Sequence, residues 1–268
     1  SVTTRNQRRA CIRAFFKYVA NMEPAAVIHS IEIQKIAKKK LTESNVVKFM
    51  SEDAVKALLE QPDTATKKGL RDQFLMILMY DTAARIQEIL NLRLKDIHLG
   101  KTPTVSLLGK GPKVRTVPLM AQTVEHFKNY AAVFHPEESA YSNRHLFYVP
   151  RNGELHPMSD DNVLKFMKEY GTAARAKCLD VPENVHPHLW RHSRAMHLYQ
   201  SGMDLTLVSQ WLGHAHLNTT LIYAYADTEQ KRIAIEEATS PMNPLRDGTS
   251  ARFRVDDDET LKRLYGLK

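Results

Sequence analysis

Six residues have the types and spacing to work on a phosphate ester. Arg85 opens a helical stretch in "TAARIQEIL", and Lys110 stands at the tip of a turn in "LGKGPK". His188 and Arg191 share "HPHLWRHS", and His214 follows a helix stop in "WLGHA". Tyr223 comes nine residues after His214, in "GHAHLNTTLIYAYA", with Tyr225 two residues further on. An arginine fork binds two phosphate oxygens at once, so it can both hold a phosphate and stabilise charge developing on it. A lysine on a turn can protonate a leaving oxygen, and histidine titrates near neutrality. A phenol, with an unperturbed pKa near 10, attacks phosphorus only with help from proton removal and a cationic pocket. These groups suit cleavage of a phosphodiester by a protein nucleophile. Either tyrosine is a candidate by residue type, and either could be ordinary packing.

The motifs of other chemistries are missing. The chain has no HExxH, P-loop, GxSxG or CxxC pair, and no carboxylate cluster able to hold two magnesium ions. Cleavage is therefore expected without metal or cofactor, the cations neutralising the pentavalent phosphorus. Each candidate also has a plainer role. Arg85 can pair with Glu88, and Lys110 can be a plain turn lysine; Lys113 and Arg115 are nearby rivals for its role, less favoured by spacing, that could instead contact a phosphate backbone. His186, His188, His192 and His197 crowd one region, and His214 and His216 another, which raises zinc. The missing glutamate and cysteine partners argue against it. His192, His197 and His216 read as structural or surface groups, Trp190 and Trp211 as core, Asp96 as a turn or cap, and Glu88 as a support for Arg85.

Charge points to an anionic partner. The 268 residues carry a net charge of +8 with a pI near 9.4. Residues 1–48 hold ten Lys and Arg against three Glu, a local balance of +7. Arg8, Arg9, Arg13, Lys38, Lys39 and Lys40 in this segment are candidate contacts to a nucleic-acid backbone, which bind without reading sequence. A solvated charged face is the alternative. No apolar run approaches the ~18–20 residues of a membrane span. Two distant cysteines, Cys11 and Cys178, suggest a reducing compartment, so a cytoplasmic, nucleoid-associated protein is expected.

Helices must position most of these groups. "TTRNQRRACIRAFFKYV" has a helical apolar stripe, with Thr3 or Thr4 as cap. "KKKLTESNVVK" reads as a linker, with a boundary near residue 45. Ser51 followed by Glu52 and Asp53 marks a helix start. "GLRDQFLMILMYDT" and "ARIQEILNL" continue as helices. "TVSLLGKGPKVRTVPL" changes to the period of a β-hairpin, and "HLFYVP" could add a third strand. Helices resume near Ser159 and after "HPHLWRHS", and a third runs from a cap at Asp204 to a stop at Gly213. The class is mainly α with a small antiparallel β-sheet.

The segments "TAARIQEILNLRLKDI", "LLGKGPKVRTVPL" and "HPHLWRHSRAMHLYQSGMDLTLVSQWLGHAHLNTTLIYAYA" resemble the successive motif boxes of the tyrosine recombinases, or phage integrases. The resemblance spans roughly residues 45–230. Its most specific part is H-x-x-R, about twenty residues, L-G-H, then a tyrosine nine residues after that histidine. It implies that Arg85 and Arg191 clamp the scissile phosphate and that Lys110 protonates the leaving 5′-oxygen. It further implies that His188 handles the nucleophile's proton and that His214 hydrogen-bonds a phosphate oxygen. Tyr223, not Tyr225, would then attack phosphorus to give a 3′-phosphotyrosine. The sequence departs from the usual pattern at Ala83 and Ala84, which replace glycine and leucine in T-G-L-R. It also departs at Arg194, where an apolar residue is common, and at Tyr225, where histidine is common.

The resemblance implies three parts. Residues 1–44 would be the tail of a helical core-binding domain plus linker, residues 45–240 the catalytic domain, and residues 241–268 a C-terminal segment exchanged between subunits. It implies duplex DNA as partner, dimers on one site and tetramers on paired sites, working through a Holliday junction. Integration or excision of a mobile element is the expected role. A chromosome- or plasmid-resolving recombinase of the Xer kind, a type IB topoisomerase and a non-catalytic DNA-binding protein are the alternatives.

Overall fold

The computed structural model describes residues 1–40, 47–109, 113–214, 216–226 and 235. The chain forms two compact units, Ser1–Asn45 and Val46–Lys268.

The first unit is a helical hairpin. Helix α1 (Val2–Met22) starts on Ser1, whose hydroxyl accepts from the Thr4 amide at 3.2 Å. Thr3 and Thr4, the caps expected from sequence, therefore lie inside the helix, because a serine one turn earlier satisfies the free amide. A 3-10 turn, Pro24–Ala26, leads into α2 (Val27–Lys35). Asn6 ties the hairpin shut: its side chain donates to Lys39 O at 3.0 Å and accepts from Lys39 N at 3.1 Å. Asn6 and Ser30 are the buried residues of these two helices, while Ile12, Phe15, Tyr18, Ile28 and Ile31 are exposed. A unit this short cannot enclose an apolar core.

The second unit is helical with two small sheets. Helix α3 (Glu52–Leu59) is capped by Ser51, which accepts from Ala54 N at 3.2 Å. Helix α4 (Lys67–Thr82) ends on Ala83, which takes a left-handed conformation with φ of 50°. Helix α5 (Ile86–Leu90) follows. Strands β1 (Ile97–His98), β2 (Thr104–Leu108) and β3 (Val114–Pro118) form an antiparallel sheet in that order. Val105 faces Val117 and Leu107 faces Arg115. Val105, Leu107 and Val117 are buried, as period-two alternation over a core requires.

The third strand of this sheet is Ile97–His98, not "HLFYVP" as the sequence suggested. The latter supplies β4 (Tyr148–Arg151), which pairs with β5 (Glu154–Pro157) in a separate two-stranded sheet. Leu146 and Phe147 just before it are fully buried, so their apolar character reports the core and not membership of the first sheet. Helix α6 (Ala121–Phe134) precedes this hairpin, and α7 (Asp160–Arg175), α8 (Pro187–Gln200), α9 (Leu205–Leu212) and α10 (Leu221–Ala226) follow it.

Two apolar clusters hold these elements. The larger packs Phe74 of α4 against Phe127 and Tyr130 of α6 and against Phe147. The smaller joins Ala83, Ala195 and Met196 of α8, Val208 and Leu212 of α9, and Tyr223 of α10. That second cluster brings the end of α4 and three later helices to one place. Among the described residues no helix is long and apolar enough to cross a membrane, and no three His, Cys, Asp or Glu groups stand where they could hold a metal ion.

Candidate active site

Arg191 lies at the centre of this junction. Its side chain is buried, with the residue 4% exposed. Nη1 donates to Ala83 O and Nη2 to Leu212 O, both at 2.7 Å. Ala83 caps α4 and Leu212 ends α9. The last carbonyls of a helix lack intrahelical partners and carry the negative end of its dipole, so one guanidinium satisfies two helix ends. Among the described residues no carboxylate bonds it directly. Burial, with the nearby charges of Arg85 and Arg115, lowers its pKa to about 10. It stays protonated at neutral pH, and the charge is concentrated rather than cancelled.

Arg85 forms the N-terminal cap of α5, as its place in the sequence suggested. Its backbone N donates to Glu88 Oε2 at 2.8 Å, and Nη1 to Glu88 Oε1 at 2.9 Å. The side chain is 39% exposed, so further donors remain open to an anion. Glu88 also receives both Nη groups of Arg115, at 2.9 and 2.7 Å. Burial pushes the Glu88 carboxyl up, but hydrogen bonds from Arg115 and from Arg85 outweigh it and leave its pKa lowered. One carboxylate thus carries two arginines, and with Arg191 the junction keeps an excess of positive charge.

Arg115 differs from the contact to DNA backbone expected of it. Its side chain is 14% exposed, and its Nε donates to Trp211 O at 3.1 Å. It is an internal strut between β3, α5 and the end of α9. Gly213 allows this: it sits at φ of 65°, and a Cβ there would lie 2.8 Å from Arg115 Cδ. Gly213→Ala should cost roughly 1–2 kcal/mol from the left-handed conformation alone. It should also dislodge Arg115. Chemical denaturation measures the first effect, and an unchanged midpoint would contradict it.

His214 follows that glycine. Its Nδ1 pairs with Thr220 Oγ1 at 2.8 Å, and its backbone N donates to Ser209 O at 3.1 Å. A 3-10 turn, Leu217–Thr219, then leads into α10, which carries Tyr223. The tyrosine is 1% exposed. Burial raises the phenol to about 12, opposed by the positive field of Arg191. Its hydroxyl lies 3.0 Å from His192 Nδ1. His188, the partner suggested by sequence, is exposed on the same face of α8, with its ring centroid 6.5 Å from that of His192. Tyr225 is 59% exposed and stands apart from the buried cluster.

The junction therefore brings together Arg85, Arg191, His214 and Tyr223, with His188 at its edge. Lys110, with Gly111 and Pro112, lies outside the described residues. On either side of these residues, Gly109 N donates to Lys113 O at 2.8 Å. Lys113 is exposed, as are Arg8, Lys38, Lys39 and Lys40 of the first unit. Arg9 and Arg13 use donors within that unit, Arg9 to Ile36 O and Arg13 to Gln34 Oε1. The segment 241–268 lies outside the described residues. Sequence reasoning read His192 only as a structural or surface group and assigned Thr220 no role at the site. The i, i+4 spacing of His188 and His192 was the available sign that both share one helix face.

The histidines give a pH signature. Burial first, then neighbouring cations, lowers His192 and His214 to about 4 from the ordinary 6.5. His135, His186 and His197 shift the same way, with burial as the largest cause. Below pH ~6.5 the unfolded chain binds protons that the folded chain refuses until about pH 4, so stability must fall as pH falls through that window. Above ~6.5 these groups contribute no slope. Denaturant midpoints across the range check this, and stability that rose on acidification from 6.5 would contradict it.

The model described as Phage integrase family matches residues 48–230. A Sinorhizobium fredii protein provisionally named an integrase/recombinase is 32% identical over 262 residues, 96% of this chain and 74% of that protein. The tyrosine recombinase XerA of Pyrococcus furiosus is 31% identical over 227 residues, 85% of this chain and 71% of its own. The crystal structure of the XerH site-specific recombinase bound to its difH substrate, a pre-cleavage complex, superposes with a TM-score of 0.65 at 26% identity. That match covers 87% of this chain and 65% of the XerH chain, so this chain spans a little under two thirds of it.

Proposed function

This chain belongs to the phage integrase family of tyrosine recombinases, and we propose that it carries out site-specific recombination by cutting and rejoining DNA through Tyr223. The observation that carries the reading is the junction itself. Elements distant in sequence deliver the family's Arg85, Arg191, His214 and Tyr223 to one positively charged place.

Tyr223 Oη attacks the scissile phosphorus, the bond to the 5′-oxygen breaks, and a 3′-phosphotyrosine forms. Arg85 and Arg191 neutralise the pentavalent phosphorus. Thr220 occupies Nδ1 of His214. When the threonine hydroxyl donates, Nε2 carries the proton and can donate to a phosphate oxygen. His188 handles the proton released by the phenol, and Lys110 protonates the leaving oxygen. The intermediate retains the energy of the phosphodiester, so rejoining to a second strand needs no nucleotide. No metal enters this scheme.

Duplex DNA is the proposed partner, held in part by exposed Arg8, Lys38, Lys39, Lys40 and Lys113. In this reading residues 1–44 act as part of a core-binding domain, and the chain works as dimers on single sites and tetramers on paired ones. Integration or excision of a mobile element is the first role, in keeping with the Sinorhizobium relative. Resolution of chromosomes or plasmids is the second, favoured by relatives named XerA and XerD at 31% identity.

The test is a duplex nicked just 3′ of the cleavage position, from which the short fragment bearing the new 5′-hydroxyl diffuses away and strands the covalent adduct. A protein–DNA adduct supports the reading. None with the wild-type protein on its own site would leave a DNA-binding protein without catalysis. Relaxation of supercoiled plasmid lacking any site would favour a topoisomerase.

A further inference from the structure

A tyrosine hydroxyl has one proton and two lone pairs, and it can attack phosphorus only along a lone pair. Something must hold the proton away from that line. Here the group in contact with the hydroxyl is His192 Nδ1, at 3.0 Å, and the two rings lie 5.9 Å apart between centroids. We propose that His192 is the positioning residue of the nucleophile, accepting the Tyr223 hydroxyl proton in a hydrogen bond and so fixing the direction in which the attacking oxygen presents its lone pair. This rests on the assignment of Tyr223 as nucleophile.

Three features support it. His192 is one residue beyond Arg191 on α8, so the helix that fixes the phosphate-binding guanidinium also fixes this acceptor. Tyr223 is packed in the apolar cluster with Ala195, Met196, Val208 and Leu212. That packing restricts the ring but leaves rotation about the C–O bond free, and the hydrogen bond to Nδ1 is what removes this last freedom. Finally, the groups facing His192 are cations or other histidines, namely His186 at the N-cap of its helix, His188 and Arg191 on that helix, and His214 from beyond α9. Burial and these neighbours bring its pKa to about 4. At neutral pH the ring is therefore uncharged and weakly basic, fit to accept a hydrogen bond from a phenol raised to about 12 but badly matched to remove its proton. Positioning and proton removal are thus separate tasks: at the attack the hydroxyl proton leaves this hydrogen bond for solvent water, which passes it to His188, whose ring centroid lies 6.5 Å from that of His192.

The experiment measures single-turnover cleavage of the nicked duplex at saturating protein for wild type, His192→Ala and His192→Asn. The asparagine amide oxygen stands close to where Nδ1 stood and accepts a hydrogen bond, but it takes no proton. His192→Ala should slow cleavage roughly 10- to 100-fold, the scale of a misaligned reacting atom. Its affinity for intact duplex should be unchanged. His192→Asn should restore most of that rate, with a pH–rate profile from about pH 5.5 to 8.5 that overlies wild type. Wild-type cleavage by the alanine variant would overturn the proposal. So would an asparagine variant as slow as alanine, or one that loses a titrating limb, since either makes the ring's basicity or bulk the requirement. If the wild-type protein itself forms no adduct, the assignment of Tyr223 fails instead, and the two failures are distinct.

Discussion

Tyr223→Phe is expected to abolish the covalent adduct while the protein still folds and binds DNA. The substitution removes one oxygen and leaves the ring that fills the cluster of Ala83, Ala195, Met196, Val208 and Leu212. The hydroxyl makes a hydrogen bond to His192, and that contact at the site's floor is the main structural loss. Its removal costs about 1 kcal/mol of stability. The chemical effect is far larger, because the substitution deletes the attacking oxygen itself. Cleavage should fall by on the order of 10⁴-fold or more, as when a catalytic nucleophile is deleted from a site whose binding groups remain. Tyr225→Phe is the control. Tyr225 is exposed and outside the cluster, so cleavage should continue near the wild-type rate. An undiminished adduct with Tyr223→Phe, or its loss with Tyr225→Phe, would reverse the assignment of the nucleophile.

Arg191→Lys should nearly eliminate cleavage although it keeps the charge. The guanidinium donates from two different nitrogens to two carbonyls, Ala83 O and Leu212 O, that end separate helices. A lysine ammonium is a compact point charge and cannot span both in a planar fork. At least one buried carbonyl then loses its donor, at a cost of roughly 1–3 kcal/mol. The end of α9 also loses an anchor, and His214 and the turn to Tyr223 follow directly from it. The loss therefore falls on phosphate binding and on nucleophile placement together. A decrease of about 10²–10³-fold in single-turnover cleavage is expected, the scale for removing one transition-state donor. Duplex affinity should change much less, since most of it comes from other phosphate contacts. A lysine variant within a few-fold of wild type would mean that charge alone suffices and that the two-carbonyl clamp is incidental.

Much of the site was legible because its residues sit where local rules mark element ends. Ser51, Ser159 and Asp204 cap helices α3, α7 and α9 with their own side chains, and Gly213 ends α9 in the left-handed conformation. Those signals depend on neighbours within a few residues, so they can be read in one dimension. The pairing of Arg85 with Glu88 is equally local, being i and i+3. Ala83 is instructive on the other side. Alanine in place of the family's usual glycine gives no hint of positive φ, yet the backbone adopts it, and the carbonyl of Ala83 accepts from Arg191.

What the sequence by itself determined was the family and the order of the candidate residues along the chain. The spacing from His188 to Arg191, and from His214 to Tyr223, carries the resemblance to the family, and that resemblance is what prefers Tyr223 to Tyr225. Tertiary structure alone decided who touches whom. Arg115 looked like a surface cation on a hairpin, but the fold buries it against Glu88 and Trp211 O, residues 27 and 96 positions away. His192 looked like a spare histidine, but α10 returns across α8 and sets the phenol against it, 31 positions along the chain. The reason is physical. A hydrogen bond or ion pair between such distant residues depends on how helices pack, and packing is decided by the apolar faces of those helices rather than by the polar residues that end up meeting.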